Sequence, residues 1–225
     1  MAFLCALIGV IILAIAQYFI FYYAPIEASL GLIQKIFYMH LPLAWWALLS
    51  FFIVFLASIA YLVTKKAQLD YLCAAAAEIG LLFATLSLFT GMIWAKISWG
   101  TWWTWDPRLT TTLIMCFIYA AYLIFRHLDL APERSRLISA VLGIIAFLDV
   151  PFVFLSARLF RSIHPAVFVR EGGGMEPEMK LCVILCIIGL GLFWLSLLLV
   201  RSRQLAYLQR LDKLLFSQQI YEEND

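Results

Sequence analysis

Hydrophobic residues in this chain fall into six long runs, roughly 2–23, 38–63, 72–94, 110–125, 137–157 and 179–200, each bounded by charged residues, proline or glycine. A hydrocarbon core of about 30 Å takes about 20 residues of helix, so five of the runs are long enough to be spans as they stand. Backbone amides in hydrocarbon must bond within their own segment. None of the runs shows the alternation of a barrel strand, and the pattern predicts helices. The fourth run is short, but Asp106-Pro107 gives it a sharp start, because Asp caps free amides and Pro suits the first helical turn. Asp149, two residues before Pro151, is expected to bond a carbonyl that the proline frees, whereas Glu78 suits snorkelling or a pairing at a helix end. Beyond Arg201, Leu205, Leu208, Leu211, Leu214 and Leu215 share one side, which reads as a short amphipathic helix at the membrane surface. The expected fold class is an all-α membrane protein: a bundle of six transmembrane helices over 1–200, with a Trp-rich outer connection and an amphipathic tail over 201–225.

Composition agrees with lipid as the solvent. The chain is 65% hydrophobic and only 13% charged, which leaves too little polar surface for a water-soluble domain. A net charge of +2, with Lys and Arg scattered between the runs, excludes a nucleic-acid-binding face. All five cysteines (Cys5, Cys73, Cys116, Cys182 and Cys186) lie in apolar runs, where a thiol acts as a small hydrophobe. They make neither a Cys-x-x-Cys redox pair nor a Cys-x-x-Cys-His attachment site. The apolar start has no basic n-region and no small-residue cleavage site, so a retained first span is expected. With the N-terminus inside, the inner connections and tail carry nine Lys and Arg against seven outside, which favours both termini cytoplasmic.

Parity of the spans gives an inference that survives inverting the whole protein. The first, third and fifth connections share one face, which carries His40, the segment from Trp99 to Arg108, and His164. His127 belongs to the opposite face, in a charged connection, and reads as an ordinary interfacial residue. Five of the eight tryptophans (Trp94, Trp99, Trp102, Trp103 and Trp105) crowd into WAKISWGTWWTWDPRLT. An aromatic belt would spread them over many helix ends. Their concentration points instead to a rigid amphipathic shelf suited to a large planar apolar ligand.

WGTWWTWD followed by DPRLT closely resembles the tryptophan-rich signature of haem-handling membrane proteins of cytochrome c biogenesis. With FYMHLPLAWW before it, and LDVPFVFLSARLFRSIHPAVF and GGGMEPEM after it, the chain resembles the haem exporter protein C family over most of its length. That resemblance implies His40 and His164 as axial ligands of the iron of haem b. It also implies Trp99, Gly100, Trp102, Trp103, Trp105 and Asp106 as the porphyrin cradle. Arg108, and secondarily Arg158 and Arg161, are candidates for the propionates, since anions suit helix N-termini and guanidinium groups. The family further implies a multi-pass protein of the bacterial inner membrane with haem held on the periplasmic side. Haem would be passed to a periplasmic haem chaperone, in a complex with an ATP-binding-cassette ATPase, its permease subunit and a small single-span subunit.

The expected role is haem binding and delivery, with no enzymatic reaction of its own. Energy would come from the partner, because no G-x-x-x-x-G-K-[ST] loop is present and GGGMEPEM lacks the lysine. The competing readings are a haem transport permease, which needs a polar path through the bundle; a b-type cytochrome, which needs mid-span histidine pairs; and a haem ligase like the larger proteins bearing the same signature.

Overall fold

The computed structural model describes residues 1–28, 30–128, 131–160 and 175–223, without the side chains of residues 157, 158, 213, 216 and 219–223. Among the described residues, six helical segments are long and apolar enough to cross a membrane: Ala2–Tyr23, Leu32–Thr64, Ala67–Trp99, Pro107–Arg126, Pro132–Ser156 and Pro177–Asp212. The helices are α1 (Ala2–Tyr18), α2 (Phe37–Thr64), α3 (Ala67–Trp99), α4 (Pro107–Arg126), α5 (Pro132–Ala146), α6 (Asp149–Leu159) and α7 (Pro177–Glu223). One wide turn, Phe19–Tyr23, extends α1, and a tight turn, Leu32–Ile36, leads into α2.

In lipid the packing of helix on helix draws little from the hydrophobic effect, so close contact between small residues and polar bonds carries the association. α2 and α3 illustrate it. They are joined through Lys65 and Lys66, and Lys65 takes up a left-handed conformation (φ 55°) that lets its amide bond the Tyr61 carbonyl. So short a connection forces the two helices antiparallel. Ala75, Ala76 and Ala77 are fully buried, and a Cβ added at Gly80 would lie 2.8 Å from both the Phe51 ring and Ser50. Phe51 in turn stacks on Tyr119 of α4 at 3.7 Å between centroids. α7 packs on the same core through Trp194, whose indole stacks on Trp46 at 4.7 Å and donates to Ser50 Oγ at 2.8 Å. α1 lies outside this core and crosses α7 where a Cβ on Gly9 would come within 2.8 Å of the Gly189 carbonyl oxygen.

Several element boundaries differ from the sequence expectations. α3 continues past residue 94 to Trp99, because nothing interrupts it before Gly100, whose φ of +76° ends the helix. α4, by contrast, begins at Pro107 with Asp106 as its cap, where the Asp106-Pro107 pair put its start. α7 is a single helix from Pro177 to Glu223, about 70 Å long at about 1.5 Å per residue, so the residues beyond 200 continue the sixth span without a break. No glycine or proline follows Gly191 to interrupt it.

The fifth span does break, between α5 and α6. Pro151 has no N–H to offer the Phe147 carbonyl, and that oxygen accepts from Val150 N instead, at 3.0 Å. Asp149 therefore does not take the part expected of it. Its Oδ2 is buried without a hydrogen-bond partner, because a tightened backbone turn has already satisfied the freed carbonyl.

At the end of the bundle that carries His127, charges meet in pairs. Arg126 grips Asp70 with two bonds, Nη1 to Oδ1 at 2.8 Å and Nη2 to Oδ2 at 2.9 Å, and Arg136 Nε stands 3.6 Å from Oδ2. Glu78 is engaged by Arg201 of α7, with both partners well inside their helices and not at a helix end. One carboxylate thus ties α3 to α4 and α5, and the other ties α3 to α7. Asp70→Ala would strand two guanidinium groups that are each only 15% exposed. It is expected to cost about 3–5 kcal/mol of stability, read as a large drop in thermal unfolding temperature in detergent, and an unchanged midpoint would refute the knot.

Candidate functional site

The opposite end of the bundle gathers the aromatic and imidazole chemistry. Trp94 and Trp99 stand on the last turns of α3, and their rings stack at 6.4 Å with an interplanar angle of 27°. His40, in the first turns of α2, meets Trp94 edge-on at 6.3 Å between ring centroids. Antiparallel pairing of α2 and α3 brings the start of one helix to the end of the other, and this puts the imidazole beside the indoles.

From Gly100 to Asp106 the chain crosses the rim. Lys96 Nζ donates to the Gly100 carbonyl at 3.1 Å and lies 5.9 Å from the centre of the Trp102 ring, which steadies the turn. Thr101 Oγ1 donates to the Trp103 carbonyl at 3.0 Å, and the Trp103 and Trp105 rings meet at right angles, 5.9 Å apart. Trp102 is 55% exposed and Trp105 is 77% exposed, so the shelf presents bare indole to its surroundings. Among the described residues, Trp103 Nε1 and Thr104 Oγ1 are buried without hydrogen-bond partners. Burial without a partner is costly for a polar atom, and sites that receive a ligand are where such atoms are tolerated.

Asp106 closes the shelf and starts α4. Its Oδ1 accepts from Arg108 N at 2.9 Å, and Thr110 N and Thr110 Oγ1 both donate to its carbonyl, each at 2.9 Å. Arg108 then lies half-buried on the first turn of α4. Arg126, Arg136 and Arg201 all meet carboxylates, whereas no acidic side chain among the described residues forms an ion pair with Arg108.

Of the residues singled out from the sequence, His40, Trp99, Gly100, Trp102, Trp103, Trp105, Asp106 and Arg108 therefore share one end of the bundle. His164 and Arg161 lie outside the described residues, as does the side chain of Arg158. His127 is at the other end, with Nδ1 2.8 Å from the Leu123 carbonyl, near Arg126 and Arg201.

Sequence reasoning missed the seat of His40. Nδ1 of His40 lies 3.0 Å from Thr90 Oγ1, and a Cβ on Gly91 would come within 3.2 Å of its Cε1. Ser87, Thr90, Gly91 and Trp94 stand at helical spacing on one face of α3, the face turned to His40. Their signal was available as small and polar residues recurring at i, i+3 and i+4 inside an apolar run that ends in Trp94.

Comparison with known proteins bears on this arrangement. A family model described as Heme exporter protein C matches residues 1–216. The chain belongs to the Heme exporter protein C family. Among curated relatives of that name, the Escherichia coli K12 protein is 30% identical over 206 residues, covering 90% of this chain and 82% of its own length. The Haemophilus influenzae protein is 33% identical over 187 residues, covering 80% and 74% respectively. The Bradyrhizobium diazoefficiens protein is 31% identical over 183 residues, covering 80% and 69%.

Within this family member the shelf depends locally on the α4 cap. Asp106→Ala is expected to cost about 1 kcal/mol, with Asp106→Asn retaining most of it. Thermal unfolding of the purified protein checks this, and equal midpoints for the Ala variant and the unsubstituted protein would remove the cap from the account.

Proposed function

We propose that this protein holds haem at the Trp-bearing rim and hands it on for cytochrome c maturation. The family supports haem handling in cytochrome c biogenesis. The observation that carries the finer reading is the seated His40 beside a shelf of exposed indoles, with a half-buried Arg108 that forms no ion pair among the described residues. A flat apolar ring with an iron at its centre and two carboxylates at its edge is complementary to all three.

In this reading His40 and His164 are the axial ligands, and the indoles of Trp99, Trp102, Trp103 and Trp105 cover the porphyrin. Gly100 supplies the turn and Asp106 fixes the end of the shelf. Arg108, at the positive end of α4, receives a propionate, with Arg158 and Arg161 available from the fifth connection. Haem b supplies the iron; the protein's own residues bind it, orient it and shield one side of it from water. The rim faces the periplasm, with both termini in the cytoplasm of a bacterial cell whose inner membrane holds the bundle. The haem goes to a periplasmic haem chaperone, and an ATP-binding-cassette ATPase with its permease and a small single-span subunit completes the complex. The protein performs binding and delivery and leaves covalent attachment to other components. Glu78, one of the two acids that a permeation path would use, is engaged by Arg201, which weighs against a permease reading.

Absorption spectra of the detergent-purified protein test the ligands. The Soret band is expected to fall to a small fraction in His40→Ala and in His164→Ala, and a full band in either variant removes that histidine from the ligand set. Arg108→Gln is expected to weaken haem retention about tenfold, the loss of one charge-assisted hydrogen bond worth about 1.5 kcal/mol. Titration with haemin measures it, and an unaltered affinity sends the propionates elsewhere.

A further inference from the structure

We propose that Thr90 is a positioning residue that fixes the tautomer and the orientation of His40, so that Nε2 is the nitrogen that ligates iron. The inference rests on the reading of His40 as an axial ligand and says how α3 prepares it.

Thr90 Oγ1 lies 2.9 Å from the Leu86 carbonyl oxygen and 3.0 Å from the Ser87 carbonyl oxygen. Both oxygens only accept, and a hydroxyl has one proton to give. With that proton turned to the backbone of α3, Thr90 offers His40 a lone pair. His40 Nδ1, 3.0 Å away, must then carry the hydrogen, since two lone pairs at that separation repel. Neutral His40 is therefore the Nδ1–H tautomer, with its lone pair on Nε2, as metal ligation through that atom requires.

Thr90 also sets where the ring sits. Gly91 adjoins it on the same face and is buried, and the 3.2 Å that a Cβ there would leave to Cε1 shows the ring lying tight against the α3 backbone. Trp94 covers the ring edge one turn on. Donation from Nδ1 to an acceptor raises the basicity of the other nitrogen, and removal of such a partner commonly lowers metal affinity by about 10–100-fold.

The test uses the full-length protein in detergent, loaded with haemin. Thr90→Val keeps the size and the branching and removes the acceptor. It is expected to weaken haem retention about tenfold, to convert part of the six-coordinate low-spin spectrum to high-spin, and to move the haem midpoint potential positive. Thr90→Ser is expected to restore all three. Should the Val variant fold poorly by thermal unfolding, Thr90→Ala asks the same question without the branch. If His40→Ala loses its Soret band while Thr90→Val and Thr90→Ala match the unsubstituted protein in affinity and spin state, the role of Thr90 is overturned and His40 remains a ligand. If His40→Ala keeps its full Soret band, the ligand reading itself falls, and the positioning role with it.

Discussion

Close approach of α2 and α3 is the constraint on which the rest of the molecule depends. Lipid is as apolar as leucine, so these helices gain by contact between backbones and by polar bonds more than by hiding surface. Alanine at 75–77 and glycine at 80 leave the room for that contact, and Phe51 fills the gap against Tyr119. Closer to the rim the same two helices meet again, where Gly91 of α3 admits the imidazole of His40. Packing that holds the bundle together thus also fixes the position of His40.

Charge is divided between the two ends in a way that separates holding from binding. Asp70 and Glu78 neutralise guanidinium groups from three other helices, which closes one end as a set of staples. The Asp70 knot, the more buried of the two, is strong only while complete, and this makes it poor ground for a ligand that must come and go. The other end keeps a half-buried arginine that forms no ion pair among the described residues, together with indoles turned outward. An anionic planar ligand gains there from both at once, and its departure strands no buried pair.

The α5–α6 break shows how locally a membrane helix repairs itself. A proline in hydrocarbon would leave a carbonyl unsatisfied, and the nearest remedy is the amide one residue before it, which tightens the turn at Phe147. The carboxyl of Asp149 is not needed for this repair. It remains a half-buried acid, its Oδ2 shut away from solvent, beside a break in the helix.

Much of this was legible in the chain. Six apolar runs could only be helices, because hydrocarbon leaves the backbone no other partner; Asp106-Pro107 marked the start of α4, and the parity of the spans put His40 with the tryptophans. The ends of α3 and α7 were not legible from hydropathy, because a helix stops where its backbone is interrupted and not where its side chains turn polar: Trp99 and the residues past Arg201 continue until something breaks them. Nor was the seat of His40. Ser87, Thr90 and Gly91 are ordinary residues for a membrane helix, and nothing in their order says which neighbouring helix their face meets. That was decided only when α2 and α3 packed antiparallel, since a hydroxyl acquires a role from the atom 3.0 Å away and not from its place in the sequence.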